Sequence, residues 1–266
     1  MRVFVFTWDR YNTLTTPQLL ADEGIEHTVL VHTTSKAQRF AAAGRVDTSC
    51  IHVTGVPKGL AYARNAALDL MDTGEWAVWL VDDLQSVTEL ESYDEHALSG
   101  MLPITQENQA QWRPTFKCQV PLRQFMHRCL DAATYADHLG ANLVGFAGFD
   151  NVLFRAKRWK LNTLADGRAW VVRKTHLRFD ENVQMVDDVC WTAQNILEFG
   201  AVLVDQWVLP KCKRYTAGAF GSIEERLEQK RKEVSYLVAT YPQVCAVKAK
   251  PGWPWGTHVV IRRTAA

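Results

Sequence analysis

Residues 76 to 85 read WAVWLVDDLQ, an apolar run from Trp76 to Val81 that ends in two adjacent carboxylates, Asp82 and Asp83. A short run of β-branched, aromatic and aliphatic residues predicts a strand buried on both faces, as in the parallel sheets of α/β proteins. Acids placed where such a strand stops lie at the carboxyl edge of the sheet, the edge at which open α/β folds bind ligands. Carboxylates there cost free energy unless a cation, an arginine or a ribose hydroxyl meets them. A plain acidic turn is the alternative, and this stretch alone leaves both open.

Upstream, strand and helix signals alternate. Strands are expected over 2–7, 27–32 and 50–53. Thr15, Thr16 and Pro17 read as a hydroxyl cap followed by a first-turn proline, opening a helix that Gly24 ends. A second helix is expected over 35–43. A third, over 59–71 (GLAYARNAALDLM), leads into the aspartate strand and carries Arg64 and Asn65. Repeated βα units of this length predict a parallel sheet with right-handed crossovers. Downstream the pattern loosens. Residues 86–117 read as loop, then a helix over 121–138, strands over 143–146, 151–154 and 170–174, a helix over 187–199 and a strand over 201–208. The turn signal Ala165-Asp166-Gly167 joins the strands before and after it into a hairpin. A charged helix over 222–240, capped by Ser222 with Glu224 and Glu225 in its first turn, precedes a last strand over 258–261.

Composition narrows the function classes. Hydrophobic residues make up 47% of the 266 positions and charged residues 22%, enough to bury a core. The net charge of +1 gives no global attraction to a polyanion, so any nucleic-acid contact must come from local clusters. The six cysteines show no C-x-x-C pair and no zinc-like spacing with histidine, and read as reduced thiols. No charged, apolar leader opens the chain and no run approaches the ~20 apolar residues that span a bilayer. A soluble, cytoplasmic protein without a membrane partner is expected.

An N-terminal strand leading to TWDRYNTLTT, then GLAYARNAALDL, then WAVWLVDDLQ, resembles the nucleotide-binding half of GT-A glycosyltransferases. LRFDENVQMVDDVCWTAQNILEFG looks like the acceptor-side signature of the same enzymes, with an acidic pair opening a helix that ends in glycine. The closest likeness is to the TET-associated glycosyltransferases of phages, which are implied to glycosylate hydroxymethylated pyrimidines in DNA. The resemblance implies one α/β domain with a Rossmann-like, mixed but mainly parallel sheet flanked by helices and a β-hairpin insertion on the acceptor side. Residues 1–85 would be the nucleotide-sugar half, and 86–266 the acceptor half with the C-terminal helix.

By that likeness Thr7, Asp9, Arg10, Arg64, Asn65, Asp82 and Asp83 bind a nucleotide-sugar, with a UDP-sugar as donor. Asp83 holds Mn²⁺ or Mg²⁺, with His258 as a further candidate ligand. Asp188 is the better candidate for the general base and Asp187 stands beside it; a carboxylate at a helix N-terminus is also favoured by the dipole. Leu84 stands where the family motif usually carries an acid, which puts the metal in question more than the nucleotide. An Asp base favours inversion over retention without deciding it.

Basic residues gather with aromatics in two places, Arg155 to Lys174 and Lys211 to Arg214. Arg158, Trp159, Arg173, Lys174, Lys213 and Arg214 are the candidate acceptor or DNA contacts, suited to phosphates and base stacking. A target base in duplex DNA would have to be flipped out to be reached. The charged run Glu224 to Glu233 reads as a solvated helix face. Three other readings stay open: a small-molecule or glycan acceptor, a nucleic-acid-binding protein on a GT-A-like shell, and a nucleotidyltransferase. The absence of glycine in TWDRYNTLTT argues against the last.

Overall fold

The computed structural model describes residues 1–7, 14–57, 59–90, 117–148, 158–212, 222–249 and 257–262. Its first half is β1 (Arg2–Phe6), α1 (Thr16–Asp22), β2 (Thr28–Val31), α2 (Thr34–Ala42), β3 (Ile51–Val53), α3 (Leu60–Asp69) and β4 (Trp76–Val81). There follow β5 (Leu84–Leu90), β6 (Lys117–Val120), α4 (Leu122–Leu139), β7 (Leu143–Phe146), β8 (Trp159–Leu161) and β9 (Ala169–Arg173). The last elements are α5 (Asp187–Phe199), β10 (Leu203–Asp205), β11 (Val208–Cys212), α6 (Ile223–Thr240), β12 (Cys245–Ala249) and β13 (Thr257–Ile261).

Among the described residues the main sheet has eight strands, in the order β3-β2-β1-β4-β9-β7-β10-β8. Pairing is parallel from β3 to β4 and between β7 and β10; β9 runs antiparallel between β4 and β7, and β8 is an antiparallel edge. Strands that alternate their side chains across a sheet covered on both sides must be apolar throughout, and the central pair shows why. Phe4, Phe6, Ala77 and Trp79 enter one core with Ala67 and Leu68 of α3, Trp191 and Ile196 of α5, and Val234 and Leu237 of α6. Val3, Val5, Val78 and Leu80 enter the other with Leu20 of α1, Phe40 of α2 and Phe125 and Cys129 of α4. Residues before and after position 85 thus share each core. Among the described residues no helix is long and apolar enough to cross a membrane.

Three expectations are corrected. The hairpin expected between 151–154 and 170–174 is replaced: β9 lies inside the sheet with β4 and β7 as its two neighbours, and the strand described before it, β8, is an edge. The turn signal at 165–167 sends the chain into the sheet centre, where Trp170 and Val172 join one core and Ala169 and Val171 the other. Residues 86–90, expected as loop, belong to β5, which pairs with β11 and β6 in a separate three-stranded sheet; its residues 87–89 are buried although Thr88 and Glu89 are polar. The single strand expected over 201–208 is two. Asp205 accepts a hydrogen bond from the Trp207 N–H (2.9 Å), and Gln206 N–H reaches Arg158 O (2.7 Å), so the chain bends out of one sheet into the other. The strand expected over 151–154 lies outside the described residues.

α6 begins as expected. Ser222 Oγ accepts from Glu225 N–H (3.2 Å) while the Glu225 carboxylate accepts from Ser222 N–H (2.7 Å). Cys129, Cys190 and Cys245 are buried, Cys118 is exposed, and all six thiols are free.

Candidate functional site

β4 stops at Val81, Asp82 and Asp83 form a tight turn, and β5 starts at Leu84. That turn is clamped by the start of α1. Thr15 and Thr16 N–H groups donate to Asp82 O (3.1 and 3.2 Å). Thr16 Oγ1 donates to Val81 O (2.6 Å) and accepts from Leu84 N–H (2.9 Å), and Thr15 Oγ1 donates to Leu84 O (2.6 Å). The hydroxyls expected to cap α1 are therefore used on the aspartate turn, and the helix has no side-chain cap. Thr7, at the end of β1, donates its hydroxyl to Asp82 Oδ2 (2.8 Å). Asp82 and Asp83 are both buried, 5% and 7% exposed, while Leu84 points into the core beneath β5 and is fully buried.

The second acidic pair opens α5. Asp187 is ion-paired with Arg64 of α3, and both are buried. The guanidinium lies over the Trp170 ring (4.1 Å) and near that of Phe179 (5.4 Å), and its Nη2 donates to Gly167 O (3.4 Å). Burial brings Arg64 down to about 9, with the Asp188 charge opposing, so it stays protonated at neutral pH. Asp188 is half-buried and accepts from Val189 N–H (2.8 Å). Its carboxyl is pushed up to about 6, first by burial and then by the Asp166 charge, against the pull of the Val189 N–H, Arg64 and Lys230.

The two pairs meet through a turn that the sequence did not mark as functional. β9 pairs antiparallel with β4, Ala169 opposite Leu80, and Val81 N–H donates to Arg168 O (3.1 Å). Asp166, Gly167 and Arg168 are thereby carried to the carboxyl end of β4. Arg168 is ion-paired with Asp166 (3.0 Å) and donates to Gly148 O (2.6 Å) and Pro210 O (3.5 Å). A Cβ on Gly167 would stand 3.3 Å from Asp188 Cβ and 3.4 Å from Arg64 Nη2, so the backbone there is pressed between the two. Cys212, opposite Leu84 in the β5–β11 ladder, is pushed up to about 12, chiefly by burial and then by the Asp83, Asp166 and Asp82 charges, with Arg168 opposing. Both acidic pairs, Asp166, Arg168 and Cys212 form one neighbourhood. The signal for it was present but needed topology: a turn matters here only because the strand after it returns beside β4.

The remaining candidates fall elsewhere. Asn65 is buried on α3; its Oδ1 accepts from Phe179 N–H (2.8 Å) and its Nδ2 donates to Phe179 O and Glu181 Oε1 (3.1 Å each). Arg158 binds Asp205 Oδ2 through Nε and Nη2 (3.2 Å each) and stacks on Trp159 (4.7 Å). Trp159 pairs with Asp205 at the carboxyl edge, but on the outermost strand. Arg173 pairs with Trp76 at the start of β4, so Arg173 and Lys174 lie at the opposite edge from the aspartates; Arg173 is bonded to Asp137 (2.9 Å) and Gly74 O (3.2 Å). His258 is half-buried on β13 opposite Lys248, and among the described residues no three His, Cys, Asp or Glu side chains are grouped to hold a metal ion. Asp9, Arg10, Lys213 and Arg214 lie outside the described residues.

No family model matches the chain, and no curated protein does. The side chains at this edge define the chemistry open to it. They comprise two carboxylates at a strand end, a third in the neighbouring turn, and a carboxyl at a helix start tuned close to neutral pH. Such a set can receive a proton from a hydroxyl and can face a cation or a polyhydroxylated ligand.

Proposed function

We propose that the chain is a GT-A-type glycosyltransferase that moves a sugar from a UDP-sugar to an acceptor hydroxyl, with 5-hydroxymethylpyrimidine in DNA as the first acceptor to test. The observation that carries the reading is the convergence of Asp82–Asp83 and Asp187–Asp188 at one sheet edge, joined through Arg64 and the turn at 166–168. The order β3-β2-β1-β4 supports it, being that of nucleotide-binding doubly wound halves whose ligands lie beyond the carboxyl ends of the strands.

In this reading Asp82, oriented by Thr7, meets the ribose and Asp83 faces the diphosphate. Two carboxylates suit Mg²⁺ or Mn²⁺ when substrate phosphates and water complete the shell, and the ion would neutralise charge on the leaving group. Asp188 takes the proton of the acceptor hydroxyl. The acceptor oxygen bonds to the anomeric carbon as that carbon's bond to the diphosphate breaks, and the electron pair leaves on UDP. A carboxyl at about 6 is mainly ionised at neutral pH yet more basic than an ordinary aspartate, which suits a general base. Arg64 acts by holding Asp187 and the turn at Gly167, since its guanidinium is enclosed.

A nucleic-acid-binding shell without catalysis has less support, because Arg158 and Arg173 are bonded to Asp205 and Asp137. The test is transfer of labelled sugar from a panel of UDP-sugars to DNA with and without 5-hydroxymethylcytosine. Asp188→Asn is expected to lower kcat by about 10²–10⁴ while keeping UDP affinity, and Asp83→Asn to weaken UDP binding. A wild-type chain that neither transfers sugar nor binds UDP differently from Asp83→Asn would sink the proposal.

A further inference from the structure

The segment 179–186, which delivers the acids of α5 to the sheet edge, has no regular structure, yet its backbone is held by side chains from two helices. Asn65 of α3 bonds both the N–H and the C=O of Phe179. Gln184 Oε1 accepts from Ala61 N–H in the first turn of α3 (3.3 Å), and its Nε2 donates to Glu181 O (2.8 Å). The largest share comes from Glu233 of α6. Its carboxylate accepts from three successive N–H groups, Gln184 (3.0 Å), Met185 (2.7 Å) and Val186 (3.1 Å), and from Gln229 Nε2 (2.9 Å). The chain leaves this cradle directly into Asp187.

Glu233 is 2% exposed, which corrects the solvated face expected over Glu224 to Glu233. That reading holds for Glu228 and Lys232, an exposed pair at 2.7 Å. A carboxylate is tolerated out of water only where charge-assisted donors replace its hydration, and three backbone N–H groups do so here. Neighbours of Glu233 at helical spacing address the same segment. Tyr236 donates to Asp180 Oδ2 (2.6 Å), and the Lys230 charge lowers Asp188.

We propose that Glu233 is a positioning residue that fixes where α5 begins and hence where Asp188 stands, making the C-terminal helix a working part of the acceptor side. The catalytic half of this statement rests on the reading of Asp188 as the base. The positional half is independent of it: without Glu233, three consecutive N–H groups lose their common acceptor and the two residues before α5 are free to turn.

The experiment compares the wild-type chain with Glu233→Gln, Glu233→Asp and the exposed control Glu228→Gln. Amide exchange is followed at 184–186, Asp188 titration by carboxyl-labelled NMR, and sugar transfer as a function of pH. Glu233→Gln is expected to lose protection at 184–186, to move the Asp188 titration and the acidic limb of the rate profile together, and to lower kcat by about 100-fold with donor KM unchanged. Glu233→Asp, which keeps the charge, falls between it and wild type, and Glu228→Gln matches wild type. A folded Glu233→Gln with wild-type kcat and an unmoved Asp188 titration overturns the proposal; should that variant not fold, Glu233→Asp serves for the same comparison. If the wild type transfers no sugar, the proposed reaction falls by itself. The NMR titration and amide protection then decide the positional claim, and no change in either overturns it.

Discussion

Arg64, on the helix that leads into β4, is ion-paired with Asp187 at the first position of α5, and the pair is roofed by the Trp170 and Phe179 rings. Both charges lie out of water, so each is tolerated only because the other is there. Arg64→Met leaves Asp187 uncompensated and is expected to cost about 3–5 kcal/mol in urea unfolding. Adding Asp187→Asn to it costs much less than the sum of the single changes. Additive single and double variants would show that the two do not act as a pair.

Asp188 gives a pH signature of definite sign. Its folded-state carboxyl, raised from the ordinary 3.8 to about 6, keeps a proton where the unfolded chain has lost it. The stability this group contributes is full below about pH 4 and is lost as pH rises through about 6. Asp188→Asn should therefore be more stable than wild type at pH 7 by about 1–3 kcal/mol. The gap should close on acidification, as read from thermal unfolding at several pH values; a gap that widens below pH 5 contradicts the assignment. Sugar transfer moves the opposite way and falls as pH drops through the same range.

Gly167 separates structure from activity. A methyl group there enters contacts of 3.3 Å with Asp188 Cβ and 3.4 Å with Arg64 Nη2, tighter than neighbours usually accept. Gly167→Ala is expected to cost about 1–3 kcal/mol, as modest overpacking does. By shifting Asp188 it should lower transfer far more than the stability loss explains. Equal kcat in wild type and variant at a temperature where both are folded would refute this.

Asn65 acts like one more backbone partner for Phe179, donating and accepting across the same residue. Asn65→Ala strands a buried N–H and C=O, and the expected loss is about 1–3 kcal/mol for each group left unpaired. Amide exchange at Phe179 should rise in the variant. Unchanged exchange there would mean that other contacts hold the segment.

How much of this was legible beforehand can be traced residue by residue. Val81 announced its own strand end, because a fully apolar run stopping at two acids has few other readings, and 143–146 and 187–199 were marked just as clearly by period and flanking residues. Arg64 was singled out as a donor contact, whereas it is enclosed against Asp187, since nothing local says that a helix arginine points inward rather than outward. Asp166 looked like a turn residue and Arg168 like part of a basic cluster, because their importance comes from β9 running back beside β4, a pairing between distant stretches. Arg158 and Arg173 looked like one basic cluster; the sheet places them at opposite edges and gives each a carboxylate. Glu233 was hidden by its neighbours, being one buried acid in a helix most of whose other charges are exposed.

Leu84 bears on what this chain could become. It is fully buried, as is Val87 in the same strand, and it stands opposite Cys212 at the start of the β5–β11 ladder. An acid substituted at this position would place an unpaired carboxylate beneath the sheet, and sliding β5 by one residue to expose it would turn Val87 and its neighbours outward. No single replacement therefore leads from the two-acid edge to a three-acid one; the whole strand would have to be rewritten together. The number of acids at this edge is inherited from the packing of the adjoining sheet. A lineage carrying this core can retune its ligand chemistry through Asp166, Arg168 or the helix behind them far more readily than by adding a third aspartate to the strand.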